Sequence, residues 1–227
     1  MEHSLQEIQL SAGGNVLCGD LVLPRGAHGL VLFAHGSGSS RKSPRNQFVA
    51  KTLNQMRLGT LLFDLLTEQE ELEDSETGRL RFDIRLLASR LVAAIDWAKR
   101  ELPPEIKLGL FGASTGAAAA LVAAAQRPDD VRAVVSRGGR PDLAGDFLPR
   151  VQAPTLLLVG ERDELVIELN EKALARLPGE KRLLIVPHAT HLFEEPGTLE
   201  AVADEAKRWF DFFLHKEPQE GLFLDGI

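Results

Sequence analysis

The chain contains no tyrosine and only one cysteine, two tryptophans and two methionines among 227 residues. Without tyrosine, no phenolic hydroxyl can donate a hydrogen bond to a developing oxyanion. A single cysteine, Cys18, rules out an internal disulfide, and a reducing cytoplasm is the expected setting. Cys18 falls in an apolar run and is expected to be a small buried hydrophobe. No apolar run approaches the ~20 residues that cross a bilayer, so no membrane role is expected. Met1-Glu2-His3-Ser4 has neither the basic start nor the apolar core of a signal peptide. Basic residues are also short: 26 Lys and Arg face 33 Asp and Glu, giving a net charge of −7. That balance argues against general nucleic-acid binding. The six histidines show no His-x-x-x-His spacing and Cys-x-x-Cys is absent, so neither metal nor cofactor is expected.

What the chain does contain is an alternation. Continuous apolar runs read as strands at Glu7–Leu10, Asn15–Leu23, Gly29–Ala34, Thr60–Phe63, Ile106–Phe111, Val131–Ser136, Thr155–Val159 and Arg182–Val186. From the third run on, helical patterns separate them. Strands without polar alternation are covered on both faces, which implies a mostly parallel sheet of roughly eight strands in an α/β fold. The first two runs, joined by Ala12-Gly13-Gly14, read as an antiparallel hairpin at one edge. Asp83 caps a helix to Arg100 with Ile84, Leu87, Leu91, Ala94 and Ala98 on one stripe, and Pro103-Pro104 stops it. A last helix, Thr198 to His215, places Leu199, Val202, Ala206, Trp209 and Phe213 on its apolar side. The acidic stretch Glu68 to Glu76 reads as a solvated loop, or as a negatively charged flap near a strand's carboxyl end. With no linker and no internal repeat, residues 1–227 read as one domain. The segment 216–227 reads as a flexible tail, with docking of Leu222-Phe223-Leu224 as an alternative.

Chemistry concentrates at three strand ends. Gly112-Ala113-Ser114-Thr115-Gly116 follows one apolar run and opens the small-residue helix Ala117 to Gln126. Strand, G-x-S-x-G, helix is the context of a nucleophile elbow, where the glycines prevent collisions around a strained serine. Asp163 lies just past the run Thr155 to Val159, and His191 sits beyond Arg182 to Val186. A serine hydroxyl needs an imidazole to take its proton, and a carboxylate to orient that imidazole. Ser114, Asp163 and His191 supply the three types, with Asp64 as the alternative acid. His35-Gly36-Ser37-Gly38 follows the third run, where an oxyanion loop belongs. Backbone N–H groups of Thr115 and Ser37 are the assigned donors, neighbouring glycine amides being alternatives, and His35 is read as a brace of that loop.

These motifs resemble the α/β-hydrolase superfamily and, within it, small capless proteins related to dienelactone hydrolase. The resemblance runs from about Leu17 to Phe213. It implies an α/β-hydrolase fold, an acyl-enzyme on Ser114 and no cofactor. One departure stands out: dienelactone hydrolases proper carry cysteine where this chain has Ser114. Only about twenty glycine- and proline-rich residues separate Ser136 from Thr155, too few for a cap. An uncapped site favours small or short-acyl esters, or lactones, as small-molecule substrates. Acyl transfer, thioester cleavage and a non-catalytic binding role use the same framework. Arg41, Arg45 and Arg137, with Arg140, cluster at the expected mouth and suit an anionic substrate. The alternative is that they brace loops by pairing with acids such as Asp142, Asp163, Glu194 or Glu195.

Overall fold

The structure, a computed structural model, describes residues 4–215. The expected tail at 216–227, with Leu222-Phe223-Leu224, lies outside the described residues. Eight strands form one sheet: β1 (Leu5–Ala12), β2 (Asn15–Val22), β3 (Gly29–Ala34), β4 (Leu58–Phe63), β5 (Lys107–Ala113), β6 (Val131–Arg137), β7 (Thr155–Gly160) and β8 (Lys181–Val186). Their spatial order is β1-β2-β4-β3-β5-β6-β7-β8. β1 and β2 are antiparallel, β2 meets β4 antiparallel, and the rest of the sheet is parallel. The hairpin turn uses Gly13 and Gly14 at φ of 58° and 82°, positions that side chains adopt with strain.

Among the described residues six α-helices cover the sheet: α1 (Pro44–Asn54), α2 (Glu68–Thr77), α3 (Ile84–Glu101), α4 (Thr115–Gln126), α5 (Glu164–Arg176) and α6 (Thr198–His215). One apolar core joins α3, α4 and α5 to one face through residues such as Leu91, Ala119, Leu121 and Ala173. A second core packs α1 and α6 on the other face around Phe33, Phe111, Leu53 and Phe210. The alanine run of α4 is buried throughout its length, which lets that helix lie close between α3 and the sheet.

Strand order reverses around β3, whose neighbours are β4 and β5. In open α/β sheets, such a reversal opens a crevice at the strands' carboxyl ends, where ligands bind. The loop after β3 and the turn after β5 border that crevice. Between β6 and β7 the chain makes only a 3-10 stretch, Pro141–Arg150, kinked at Gly145.

Several expectations need correction. Residues 68–76 are not a loop but most of α2. Thr67 and Glu70 form a reciprocal capping box at its start, and Gly78 ends it in a left-handed conformation. β8 is not buried: it is an edge strand paired only with β7, and most of its residues keep solvent contact. Cys18 is exposed, because β2 turns that position to solvent while Leu17 and Gly19 face inward. The α6 stripe is rotated. Val202, Ala203, Ala206, Phe210 and Leu214 are buried, with Trp209 and Phe213 flanking them. α3 follows its expected stripe from Leu87 to Ala98, and Asp83 caps it by accepting from the Leu86 N–H.

Candidate active site

Ser114 stands between the end of β5 and the first turn of α4 at φ 51° and ψ −121°, a region that non-glycine residues avoid. Backbone hydrogen bonds hold it there. Its N–H donates to the Arg137 carbonyl at 3.3 Å, and its own carbonyl accepts from Ala117 N–H and Arg140 N–H, each at 3.1 Å. The flanking glycines are sterically required. A Cβ on Gly116 would lie 2.2 Å from the Ala34 carbonyl oxygen, and one on Gly112 would lie 2.4 Å from Ala117 Cα. Strain over-determined in this way persists only where the surroundings enforce it, at a cost of about 1–3 kcal/mol. The Ser114 side chain is half-buried, and its hydroxyl makes no hydrogen bond among the described residues.

Asp163 and His191 meet at 2.6 Å between Oδ2 and Nδ1. Two laced loops bring them together across 28 residues of sequence. Arg162 N–H donates to the Ala189 carbonyl at 2.9 Å, and His188 N–H donates to Glu161 Oε2 at 2.7 Å. A Cβ on Gly160 would lie 2.4 Å from the Ala189 carbonyl oxygen, so the loops approach as closely as glycine permits. Thr190 N–H donates to Glu195 at 3.0 Å, and hydrogen bonding from the Thr190 side chain, then from its N–H, holds the Glu195 carboxyl below the usual carboxylate range. Gly138, at φ 50°, lies under the imidazole: a Cβ there would be 3.6 Å from His191 Cε1. Gly138 directly follows Arg137, whose carbonyl holds Ser114. The segment Arg137–Gly138 thus touches both the strained serine and His191.

Asp64 is engaged elsewhere. It accepts from Arg41 N–H at 2.8 Å and pairs with the Arg41 guanidinium.

The loop after β3 makes a tight turn, with Ser39 N–H donating to the Gly36 carbonyl at 3.2 Å and Gly38 at φ 67°. Gly36 packs against the elbow, since a Cβ there would lie 3.1 Å from Ser114 Cβ. His35 is buried beneath this loop. Its Nε2 accepts from Leu65 N–H at 3.0 Å, which assigns the proton to Nδ1, 3.0 Å from the Gly36 carbonyl. Burial lowers the His35 pKa against the opposing Gly36 hydrogen bond, so the ring is a neutral brace. Thr115 occupies the first helical position, where a backbone N–H has no intrahelical acceptor. Ser37 is half-buried in the facing loop. Both border a cavity of about 470 Å³ that also includes His35, Leu65 and Glu71. Glu71 comes from α2, so the acidic stretch walls the cavity. Burial, then the Asp64 charge, raises the Glu71 carboxyl pKa.

The arginines divide. Arg41 is held by Asp20 and Asp64, and Arg140 donates to Asp142 through Nε and Nη2 at 2.9 and 2.8 Å. Those two brace loops. Arg45 reaches Glu194 at 3.3 Å through Nη1, while its Nε is buried without a partner. The Arg137 guanidinium has no hydrogen bond or ion pair among the described residues, although only 8% of the residue is exposed. Burial, then the nearby Arg45 charge, lowers its pKa to about 10.

A protein-family model described as an alpha/beta hydrolase domain matches residues 27–208. The chain is an α/β-hydrolase. A dienelactone hydrolase of Anabaena variabilis, solved by crystallography, is 58% identical to this α/β-hydrolase. The alignment covers 94% of this chain and 99% of that one, with a TM-score of 0.91. The chain is accordingly dienelactone hydrolase-like. Est1E from Butyrivibrio proteoclasticus shares the fold at a TM-score of 0.77 and 18% identity, over 92% of this chain and 99% of that one. Curated proteins of Mycobacterium tuberculosis strains CDC 1551 and H37Rv are named phosphoribosyl transferases. Each is 56% identical over 206 residues, covering 90% of this chain and 46% of theirs. This α/β-hydrolase therefore spans about half the length of the curated relatives it matches. No helix among the described residues is long and apolar enough to cross a membrane.

Sequence reading missed two features. Asn170, fully buried in α5, donates to the Gly139 carbonyl at 3.0 Å and pins the segment behind Ser114. No local pattern marks it. At the sheet's amino edge His28, Asp211 and His215 bring potential metal-ligand atoms within 4.8 Å of one another. The Asp-x-x-x-His spacing on α6 was the available signal. The rings of His28 and His215 stack at 3.5 Å.

Proposed function

We propose that this α/β-hydrolase cleaves carboxylic esters, small or short-acyl esters or lactones, through an acyl-enzyme on Ser114. The observation that carries the reading is the 2.6 Å Asp163–His191 contact beside a serine held in a strained elbow. With Nδ1–H donated to Asp163, the Nε2 lone pair of His191 is left to act as base. It takes the Ser114 proton as the oxygen attacks the carbonyl carbon. Backbone N–H groups of Thr115 and Ser37 hold the oxyanion, helped by the positive end of α4. His191 then protonates the leaving alcohol, and in the second half it activates water against the acyl-enzyme. The dienelactone hydrolase likeness supports ester cleavage. The transferase name belongs to proteins of which this chain matches 46% of the length.

A fluorophosphonate probe should modify Ser114 alone, and Ser114→Ala should lower kcat for a short-chain p-nitrophenyl ester by about 10⁴ or more. An unlabelled protein, or an unchanged rate in Ser114→Ala, sinks the proposal. Asp163→Asn should lose most activity while Asp64→Asn keeps it. The reverse result would transfer the acid role to Asp64.

A further inference from the structure

A second cluster of chemical groups stands at the amino edge of the sheet, opposite the candidate active site. His28 directly precedes β3, while Asp211 and His215 lie one turn apart at the end of α6. The six residues of β3 separate His28 from the loop at the other end, a span of about 20 Å. Each of the three side chains offers one ligand atom, and these atoms lie within 4.8 Å of one another.

Packing holds the three in place. Gly29, next to His28, meets Leu214, next to His215: a Cβ on Gly29 would lie 2.9 Å from Leu214 Cδ1. That close approach fixes the start of β3 against the end of α6. Lys107 N–H also donates to the His28 carbonyl at 3.3 Å. Within α6 the Nδ1 of His215 lies 3.0 Å from Asp211 Oδ1. Such a pair is ordinary at a helix end, so Asp211 and His215 are satisfied without any ligand. His28 is not. Its Nε2 is sealed from solvent and has no hydrogen-bond partner among the described residues. An unpaired polar nitrogen out of water costs free energy, and the stacked His215 ring, 3.5 Å away, gives it no hydrogen bond.

A metal ion would supply the missing partner. Two imidazoles and a carboxylate suit zinc and its transition-metal neighbours, whereas magnesium and calcium take oxygen ligands. Ligand atoms about 2.1 Å from a tetrahedral ion lie about 3.4 Å apart. The observed spread closes to that distance by rotation of His215, which is exposed at the helix end. The Asp211 carboxylate offsets the cation's charge against that of Lys107, which also acts on His28.

We infer that His28, Asp211 and His215 bind one divalent transition-metal cation, which clips the end of α6 to the start of β3. The site is separate from Ser114 and independent of the esterase reading. No spacing between histidines announces it, because the fold itself brings His28 to α6.

The test titrates zinc sulfate into chelator-stripped protein against a chromophoric zinc indicator. Wild type should fill one site with a Kd that is micromolar or tighter. Zinc at about a hundred times Kd should raise the melting temperature by about 5–10 °C, and magnesium should not. His28→Gln, Asp211→Asn and His215→Gln should each weaken zinc binding at least tenfold. His188→Gln removes an exposed histidine paired with Glu161 elsewhere and should bind zinc as wild type does. Should His28→Gln fail to fold, the exposed His215→Gln carries the test. No uptake, an equal rise with magnesium, or affinity unchanged in His28→Gln and His215→Gln overturns the site. Affinity lost in His188→Gln would place the zinc there and overturn it as well.

Discussion

Arg90 and Arg137 are buried to a similar degree, at 3% and 8% exposure, yet their surroundings differ in kind. Arg90, on α3, donates through Nη2 to Glu70 at 2.6 Å and through Nη1 to the Ala12 carbonyl. It ties α2 and the β1 end to the body of the protein. Arg137, at the carboxyl edge, has no such partners. The contrast extends beyond the two residues. Strained Ser114, His188 and Phe193, and the partnerless atoms of Thr115, Arg45 and Arg137, all gather around the loops of the candidate site. Exceptions lie elsewhere: Arg57 takes φ 60° in the turn before β4, and Arg90 Nε and His28 Nε2 are also buried without a partner.

The largest expected effect bears on Arg90. Arg90→Met strands Glu70 and the Ala12 carbonyl and should cost about 3–5 kcal/mol in urea unfolding. A cost under ~1 kcal/mol would erase the distinction between the two arginines. Next comes the elbow. Gly116→Ala forces a methyl against the Ala34 carbonyl and should cost about 3 kcal/mol, with activity falling as the oxyanion loop is displaced. Retained stability and activity would mean that the close approach is not needed. Arg137→Met should move the other way, gaining about 1 kcal/mol, because an uncompensated buried charge is removed. A loss as large as that of Arg90→Met would reveal an internal partner for Arg137.

The smallest effect is a pH slope. The buried His35 ring has a pKa lowered from the ordinary 6.5, so below pH 6.5 the unfolded chain takes up a proton that the folded one refuses. Stability should therefore fall on acidification from pH 6.5, by at most about 1.4 kcal/mol per pH unit from this group, and be level above it. His28, also lowered by burial, adds in the same direction. Urea unfolding of His35→Gln between pH 7 and 5 should give a shallower slope. An identical slope would mean that His35 is protonated in the folded state.

The sheet and the positions of Ser114, Asp163 and His191 were legible because their signals are local: an apolar run, then a glycine, then a chemical group. Arginine pairing was not. Arg41 finds Asp64 across 23 residues and Arg45 finds Glu194 across 149, and no spacing in the sequence encodes either distance. Which arginine lacked a partner needed coordinates. α2 was misread although Thr67-x-x-Glu70 was there to see, because a run of carboxylates without an apolar stripe resembles a solvated loop. Cys18 and β8 were misjudged for one reason. An apolar run reports that a strand forms but not which of its sides is covered: β8 lies at the sheet edge, and Cys18 faces solvent from β2, the strand next to the other edge.

The brevity of the Pro141–Arg150 connection bears on traffic as well as on substrate size. With only that short stretch between β6 and β7, substrates and products should pass without a cap being opened. Turnover should then report bond-making and bond-breaking directly, with no dependence on solvent viscosity.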